Sequence, residues 1–327
     1  MKVTCLQENL SRALGVVSRA VAARSTLPVL GNILLSAEQS RLKLAATTLE
    51  IGITYWMGAK VDEEGATTVP AKTFVDLVRT LPAEKVDMAL TVRTQTLNVQ
   101  SGSFHNDIKC VDAEEFPLIP HADLDQAIQL NVQDLREMIQ QVAFAAATED
   151  TRPTLTGVLT RLAGSTVTLA ATDGYRLAVR TATLSSEVAE SVSVIIPARA
   201  LSELARLLGD EQDAVYMTLP AGRGQVIFHC KGAERDVELL SQLIDGNFPD
   251  YAQIIPRSHS TRATVAVADF KRACEAADIF ARESLHTARV KVTPGGEFGP
   301  GKIQILAQSA ETGSNDAAVD ATVEGDG

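Results

Sequence analysis

Between Leu27 and Ala59 the chain reads LPVLGNILLSAEQSRLKLAATTLEIGITYWMGA: an apolar run, a polar turn, a strand pattern closing on LAAT, then a second alternating segment. Alternation with period two predicts half-buried β-strands. Ahead of it, QENLSRALGVVSRAV sets Leu10, Ala13, Leu14, Val17 and Val21 at the spacing of an amphipathic helix, leaving Arg12 and Arg19 together on the other side. After it comes VPAKTFVDLV from Val69, a strand end with a proline near the start of a short helix.

The pattern returns 125 residues later as RPTLTGVLTRLAGSTVTLAATDGYRLAVRTATL, Arg152 to Leu184, flanked by QDLREMIQQVAFAA before and IPARALSELA after. Both copies close on Phe-Pro, at Phe116-Pro117 and Phe248-Pro249. A third copy starts with VAVADFKRACEAADIFARESLHTARVKV and continues through KIQILAQSAETG, with Ile305-Leu306-Ala307 in the place of Thr168-Leu169-Ala170; AAVDATVEG suits one more strand. No third [VI]PA[KR] helix follows, so the expected domains are 1–125, 126–257 and 258–327, the last being the first half of a repeat. Strands that outnumber helices, with too few helices for βαβ crossovers, predict an α+β fold of antiparallel sheets with helices gathered on one face.

The helices gather basic residues. Lys72 and Arg79 repeat the seven-residue spacing of Arg12 and Arg19, and so do Arg199 and Arg206; Arg24 follows the first helix, and Arg136 and Lys271 lie in two further helix segments, QDLREMIQQVAFAA and VAVADFKRACEAADIFA. Yet the chain has 30 basic and 41 acidic residues, a net charge of −11, so the acid is concentrated in strands and loops. A moderately basic helical face on an acidic body suits loose, sequence-independent contact with the backbone of duplex nucleic acid. Aromatic residues are 4 % of the chain, which argues against single-strand stacking platforms.

Other chemistry is thin. The four cysteines stand far apart without C-x-x-C spacing, so small buried core residues in a reducing compartment are expected, not disulfides or zinc. The N-terminus has Gln7, Glu8, Asn9 and Arg12 where a signal peptide needs an apolar run, and no apolar segment is long enough to span a bilayer; a cytosolic location is expected. P-loop, G-x-S-x-G and H-E-x-x-H motifs are absent, AGRGQVIF from Ala221 reads as a hairpin turn, and the histidines show no ligand spacing. No catalytic residues, metal or cofactor are expected.

ATDGYRLAV, LPVLGNILL, GATTVPAKTF, FHNDIKCVDAEEFP and GNFPDY, taken in order, resemble the bacterial DNA polymerase III beta subunit family, the sliding clamps, over essentially the whole chain. The resemblance implies the DNA-clamp fold, with helices lining a hole and sheets outside. It implies a head-to-tail homodimeric ring around double-stranded DNA. Partners would be the polymerase III catalytic subunit, the clamp loader, other polymerases and repair proteins. It also implies a pocket for a short apolar peptide, formed on the second-domain side by Arg152, Leu155, Thr172, Gly174, Tyr175, Arg176, Leu177, Pro249 and Ile254. There Asp173-Gly174 would turn the chain, Leu155 and Leu177 would give an apolar floor, and Arg152 and Arg176 would supply donors at the rim. The dimer edge would hold Asn106, where the family usually has an aromatic residue, and Ile108, against Ile279, Phe280 and Glu311. Because the family's pocket is completed by an extreme C-terminus that this sequence does not include, a C-terminally truncated clamp is expected. The alternative function is a monomeric peptide-binding fragment unable to close a ring; an enzyme with a dispersed His/Asp site near Asp173 is the third class.

Overall fold

The first strand, β1 (Lys2–Leu6), runs directly into α1 (Gln7–Val17), whose stripe Leu10, Ala13, Leu14 and Val17 is buried. A computed structural model describes residues 1–325 apart from positions 150, 210, 211, 221, 223, 233–235, 285, 297 and 298. The helix is shorter than its pattern suggests: Ser18–Ala20 form a 3-10 turn, so Arg12 and Arg19 do not share one continuous α-helix. Strands β2 (Asn32–Glu38), β3 (Arg41–Thr47) and β4 (Ile51–Gly58) then form the antiparallel meander read from the alternation. Gln39 and Ser40, with φ of 45° and 63°, join β2 to β3 in the left-handed turn that matches strand twist. After β5 (Lys60–Glu63) and β6 (Gly65–Pro70) come α2 (Ala71–Thr80), β7 (Lys85–Thr91), β8 (Thr96–Ser101) and β9 (Phe104–Lys109).

The second copy contains β10 (Ile128–Leu130), α3 (Val132–Val142), β11 (Gly157–Thr172), β12 (Leu177–Pro197), α4 (Ala198–Leu207), β13 (Gln212–Thr218), β14 (Gln225–Gly232) and β15 (Asp236–Gln242). The long spans β11 and β12 hold two ladders, separated by register breaks around Gly164. Thr166–Thr172 lies opposite Leu177–Thr183 as β3 lies opposite β4, and Gly157–Leu162 lies opposite Val192–Pro197 as β2 lies opposite β6. Of the expected AGRG turn, Ala221 and Arg223 lie outside the described residues, but the flanking β13 and β14 pair antiparallel.

Among the described residues, 1–249 hold three sheets. One has the order β5-β1-β7-β8-β9; a second runs β10-β13-β14-β15-β4-β3-β2-β6 and so continues from one copy into the next; the third is the pair β11-β12. The seam is antiparallel pairing of β15 with β4, from Asp236 opposite Trp56 to Ser241 opposite Ile51. That seam explains why Met1–Pro249 forms one compact unit with a shared core and Asp250–Gly327 a second. Helix α1 packs on β3 and β4 beside α2, and α3 packs on β11 and β12 beside α4.

The opposite face of the long sheet is crossed by the connecting segment after β9. Glu238, only 5 % exposed, accepts the Ala122 N–H at 3.2 Å, with His121 Nδ1 at 2.9 Å and His229 Nδ1 at 3.1 Å. Burial alone would raise its pKa; the hydrogen bonds from the two imidazoles and the amide outweigh it and hold the carboxyl at about 2. The connecting segment is thus fastened to the sheet by a buried anion.

In the second unit, β16 (Arg262–Val265) leads into α5 (Val267–Ala281), followed by β17 (Arg289–Thr293), β18 (Gly301–Ser309) and β19 (Gly313–Glu324), in the order β16-β19-β18-β17. Ala273, Ala277 and Ala281 are the buried face of α5, packed with Ile303 and Ile305 in a small separate core. Ile305 faces that core as Leu169 faces the first, so Ile305, and not Leu306, takes the place of Leu169. Cys5, Cys110 and Cys230 are buried as expected, whereas Cys274 is exposed on the solvent side of α5. Among the described residues no helix is long and apolar enough to cross a membrane.

Because the folded pKa of Glu238 lies below the ordinary 4.5, its stabilising effect is complete above about pH 5 and fades as pH falls toward 2. Glu238→Gln is expected to cost on the order of 3 kcal/mol at pH 7, with the gap from the parent closing by pH 2. Urea denaturation at several pH values measures this; a gap independent of pH would contradict the clasp.

Candidate functional site

The basic residues read from the helices are placed unequally. Lys72 and Arg79 are exposed on α2, opposite buried Phe74, Val75 and Val78. Arg199 and Arg206 are exposed on α4, opposite Leu201 and Leu204. Arg12 is exposed on α1, and Arg24 is exposed in the loop beyond it. Glu203 stands between two of these cations: Arg19 Nη1 is 3.7 Å from Oε2, and Arg206 bonds Oε1. This contact joins the first copy's helical turn to the second copy's α4. Arg136 is half-buried and engaged by neighbours, and Lys271, on α5 of the second unit, lies 3.7 Å from Glu275. Asp76 lies exposed between Lys72 and Arg79. The face is therefore basic but interrupted by acid, which keeps any hold on a polyanion loose.

The DGYR turn is built by its own side chains. Asp173 accepts the Tyr175 and Arg176 N–H groups on Oδ1 at 2.9 and 3.0 Å, and Arg176 Nε on Oδ2 at 3.0 Å. Those two backbone N–H bonds, with the guanidinium beside them, hold the Asp173 carboxyl below the usual carboxylate range. Thr172 Oγ1 donates to the Arg176 carbonyl at 2.7 Å, and Arg152 Nη2 donates to the Asp173 carbonyl at 2.8 Å. Gly174 has φ of +94°, and a Cβ there would lie 3.0 Å from Arg152 Nη1. The expected rim donors Arg152 and Arg176 thus spend part of their hydrogen-bonding capacity holding the turn.

Beside the turn lies a cavity of about 190 Å³, lined by Arg152, Asp173, Tyr175 and Arg176 with residues 146–149 and Thr151. Leu155, Thr172, Gly174, Leu177 and Pro249 are not in its lining. Leu155 is buried in its 3-10 turn, Leu177 is half-buried, and Pro249 is exposed; Ile254, also exposed, belongs to the second unit. Tyr175 is 97 % exposed. Phe144, not among the residues expected at this site, is exposed with the Arg176 guanidinium 5.5 Å from its ring centre. Its signal was an aromatic on the polar side of the helical pattern in QQVAFAA.

At the proposed dimer edge, β9 is an outermost strand. Its Ile108 side chain is buried within the chain's own core, so Ile108 can offer its backbone and not its side chain. Asn106 is half-buried, and its Nδ2 has no partner among the described residues. In the second unit Ile279 is exposed and Phe280 half-buried on α5, and Glu311 is exposed in the turn between β18 and β19.

Gly174→Ala is expected to destabilise the chain by about 1–2 kcal/mol, the cost of a left-handed conformation for an L side chain. Equilibrium urea denaturation checks this; an unchanged midpoint would show that the turn tolerates a Cβ.

Two family descriptions match the chain. The N-terminal domain of the DNA polymerase III beta subunit matches residues 1–120, and its central domain matches residues 129–250. The beta sliding clamp of Synechocystis sp. is 33 % identical over the full chain, which covers 86 % of that protein. The DNA polymerase sliding clamp of Bacillus subtilis superposes with a TM-score of 0.89 at 29 % identity, over all of this chain and 85 % of its own. The Pseudomonas aeruginosa sliding clamp, solved bound to griselimycin, gives a TM-score of 0.87 at 28 % identity, again over 100 % and 85 %.

Proposed function

The chain belongs to the DNA polymerase III beta subunit family, the beta sliding clamps, and on that premise we propose that it encircles duplex DNA as a head-to-tail dimer and tethers replication proteins there. It is a non-catalytic processivity factor: the helices face the DNA and the sheets face outward. Arg12, Arg19, Arg24, Lys72, Arg79, Arg136, Arg199, Arg206 and, in the third repeat, Lys271 contact phosphates without reading sequence. Residues 1–125, 126–257 and 258–327 act as successive arcs.

The observation that carries this reading is the seam and its unpaired counterparts. Thr68 and Val111 exchange backbone hydrogen bonds at 2.9 and 3.0 Å, as the Ile244 N–H donates to the Ile195 carbonyl at 2.9 Å. That correspondence makes β9 the counterpart of β15, with Asn106 in the place of Leu239. In the third copy Ala307 lies opposite Asn315 as Ala46 lies opposite Ile53, so Asn315 takes the place of Ile53. Within the chain Leu239 lies directly opposite Ile53. The outer edges of β9 and of the first part of β19 have no partner strand among the described residues. Pairing them between two chains repeats the internal seam and sets Asn106 opposite Asn315. Both amides have a buried Nδ2 without a partner among the described residues, and a facing amide supplies one. An interface whose two halves differ, used twice, is the head-to-tail kind that closes a ring. Two open edges of this kind favour assembly over a monomeric peptide-binding fragment.

The Thr172–Leu177 turn is the second-domain part of a peptide-docking surface for the polymerase, the clamp loader and repair proteins. Tyr175 and Phe144 offer exposed aromatic area there, and Arg152 and Arg176 orient the turn.

Reversing charge together at Arg12, Arg19, Lys72 and Arg199 is expected to lower retention on nicked circular DNA and to flatten its salt dependence by a slope of up to about 4. Filter retention across a salt series measures this, and unchanged retention would sink the lining assignment. Asn106→Leu alone should weaken self-association by about 1–3 kcal/mol, by leaving the facing amide unpaired. Asn106→Leu with Asn315→Ile, which copies the internal Leu–Ile pair, should restore it. Sedimentation equilibrium distinguishes monomer from twice the 34.9 kDa chain mass; a single variant that associates normally would contradict the register.

A further inference from the structure

An apolar cavity lies away from the turn, on the helix-free face of the long sheet. It measures about 540 Å³, within the range of roughly 300–1,000 Å³ usual for small-ligand sites. Its floor is two rows of outward side chains set by strand register: Ala66, Ser36 and Lys43 in one, Leu34, Ala45 and Thr54 in the next. Its wall is the connecting segment Phe116–His121. Phe116 packs with Ala45 and Val29, and Ile119 lies over Gly52, where an added Cβ would be 3.6 Å away. At the far end the wall is fixed by His121 bonded to buried Glu238 and packed against Trp56, with ring centres 5.3 Å apart. The cavity is therefore held open by a fastened segment.

Two polar groups in this apolar lining are short of partners. Thr54 is 1 % exposed, yet its Oγ1 has no hydrogen-bond partner among the described residues. Among the described residues the Lys43 ammonium is paired with Glu38 alone, at 3.8 Å, and that carboxylate is mostly in water and already accepts from Ser36 Oγ. A buried hydroxyl and a loosely paired cation facing the same apolar space select an anion with acceptor atoms. One cation is too few for a polyphosphate, and a cationic ligand would oppose Lys43.

We propose that this cavity binds a small organic acid: an aromatic or branched apolar body against Leu34, Ala45, Ala66 and Phe116, and a carboxylate on Lys43 and the Thr54 hydroxyl. The acid is either a free metabolite or the C-terminal residue of a peptide, since both present the same group. Nothing in the assignment depends on the DNA-encircling reading.

Calorimetric titration of the full chain with 4-phenylbutyrate, N-acetyl-Leu-Phe and the C-terminal amide of that dipeptide tests it. Sub-millimolar binding of at least one acid is expected, with the amide at least about tenfold weaker than the dipeptide acid. Preference for phenylbutyrate would identify a free acid as the ligand, and preference for the dipeptide a peptide end. Ala66→Leu should abolish binding by filling the cavity. Thr54→Val, close to isosteric, should weaken it about fivefold or more without loss of fold by circular dichroism. No binding of either acid at 5 mM, acid and amide binding equally, or binding that survives Ala66→Leu would each overturn the proposal.

Discussion

Backbone pairing between β15 and β4 is the interaction on which the rest depends. It joins the two complete copies edge to edge, with Leu239 on Ile53 inside and Glu238 beside Thr54 outside. Because the ladder is made of main-chain groups, any copy with an equivalent edge can reuse it, and side chains only tune the fit. In this chain the tuning differs along the molecule. The internal seam is closed by an aliphatic pair, which suits a permanent joint. The edges at Asn106 and Asn315 have amides at the same positions, which suits a joint that forms between chains and can open.

Charge placement follows from the same architecture. Alternating strands bury one face against helices, so the helices' outer sides converge on the side away from the sheet. A chain of net charge −11 can present a basic face there only because its acid lies mainly in strands and loops. Glu203, shared by Arg19 and Arg206, limits how strongly that face attracts phosphate, and it also ties the two copies together on the helical side. Weak, nonspecific contact is what a ring that must move along DNA requires.

Much of this was legible in the sequence because it is local. The offset of LAAT, the helical stripe of Leu10 to Val17 and the Pro-led helices at Ala71 and Ala198 each depend on neighbours within a turn or two. What escaped depends on distant partners. Nothing in DVELLSQ marks Glu238 as an anion buried under His121, because its partners come from β14 and from the connecting segment. Arg19 was assigned to α1 because Ser18 does not interrupt the periodicity, although the helix tightens there. Leu306 and Leu169 match in type, which sets the third copy one residue out in sequence, and only the buried face identifies Ile305 as the counterpart of Leu169. The turn at Asp173 is legible in its composition, but its use of Arg152 and Arg176 as internal struts depends on a contact 21 residues away and on side-chain geometry.

In the proposed assembly two chains close around DNA through the edges at Asn106 and Asn315. The most direct test is Asn106→Cys with Asn315→Cys in a Cys274→Ser background, oxidised in the presence of nicked circular DNA. Directly opposed residues on antiparallel strands lie within disulfide reach. The expected product is a doubly cross-linked dimer that stays on the circle through about 1 M salt, where phosphate contacts are screened, and is released when the circle is cut. Failure to cross-link, or a cross-linked species that high salt strips from the intact circle, would contradict it.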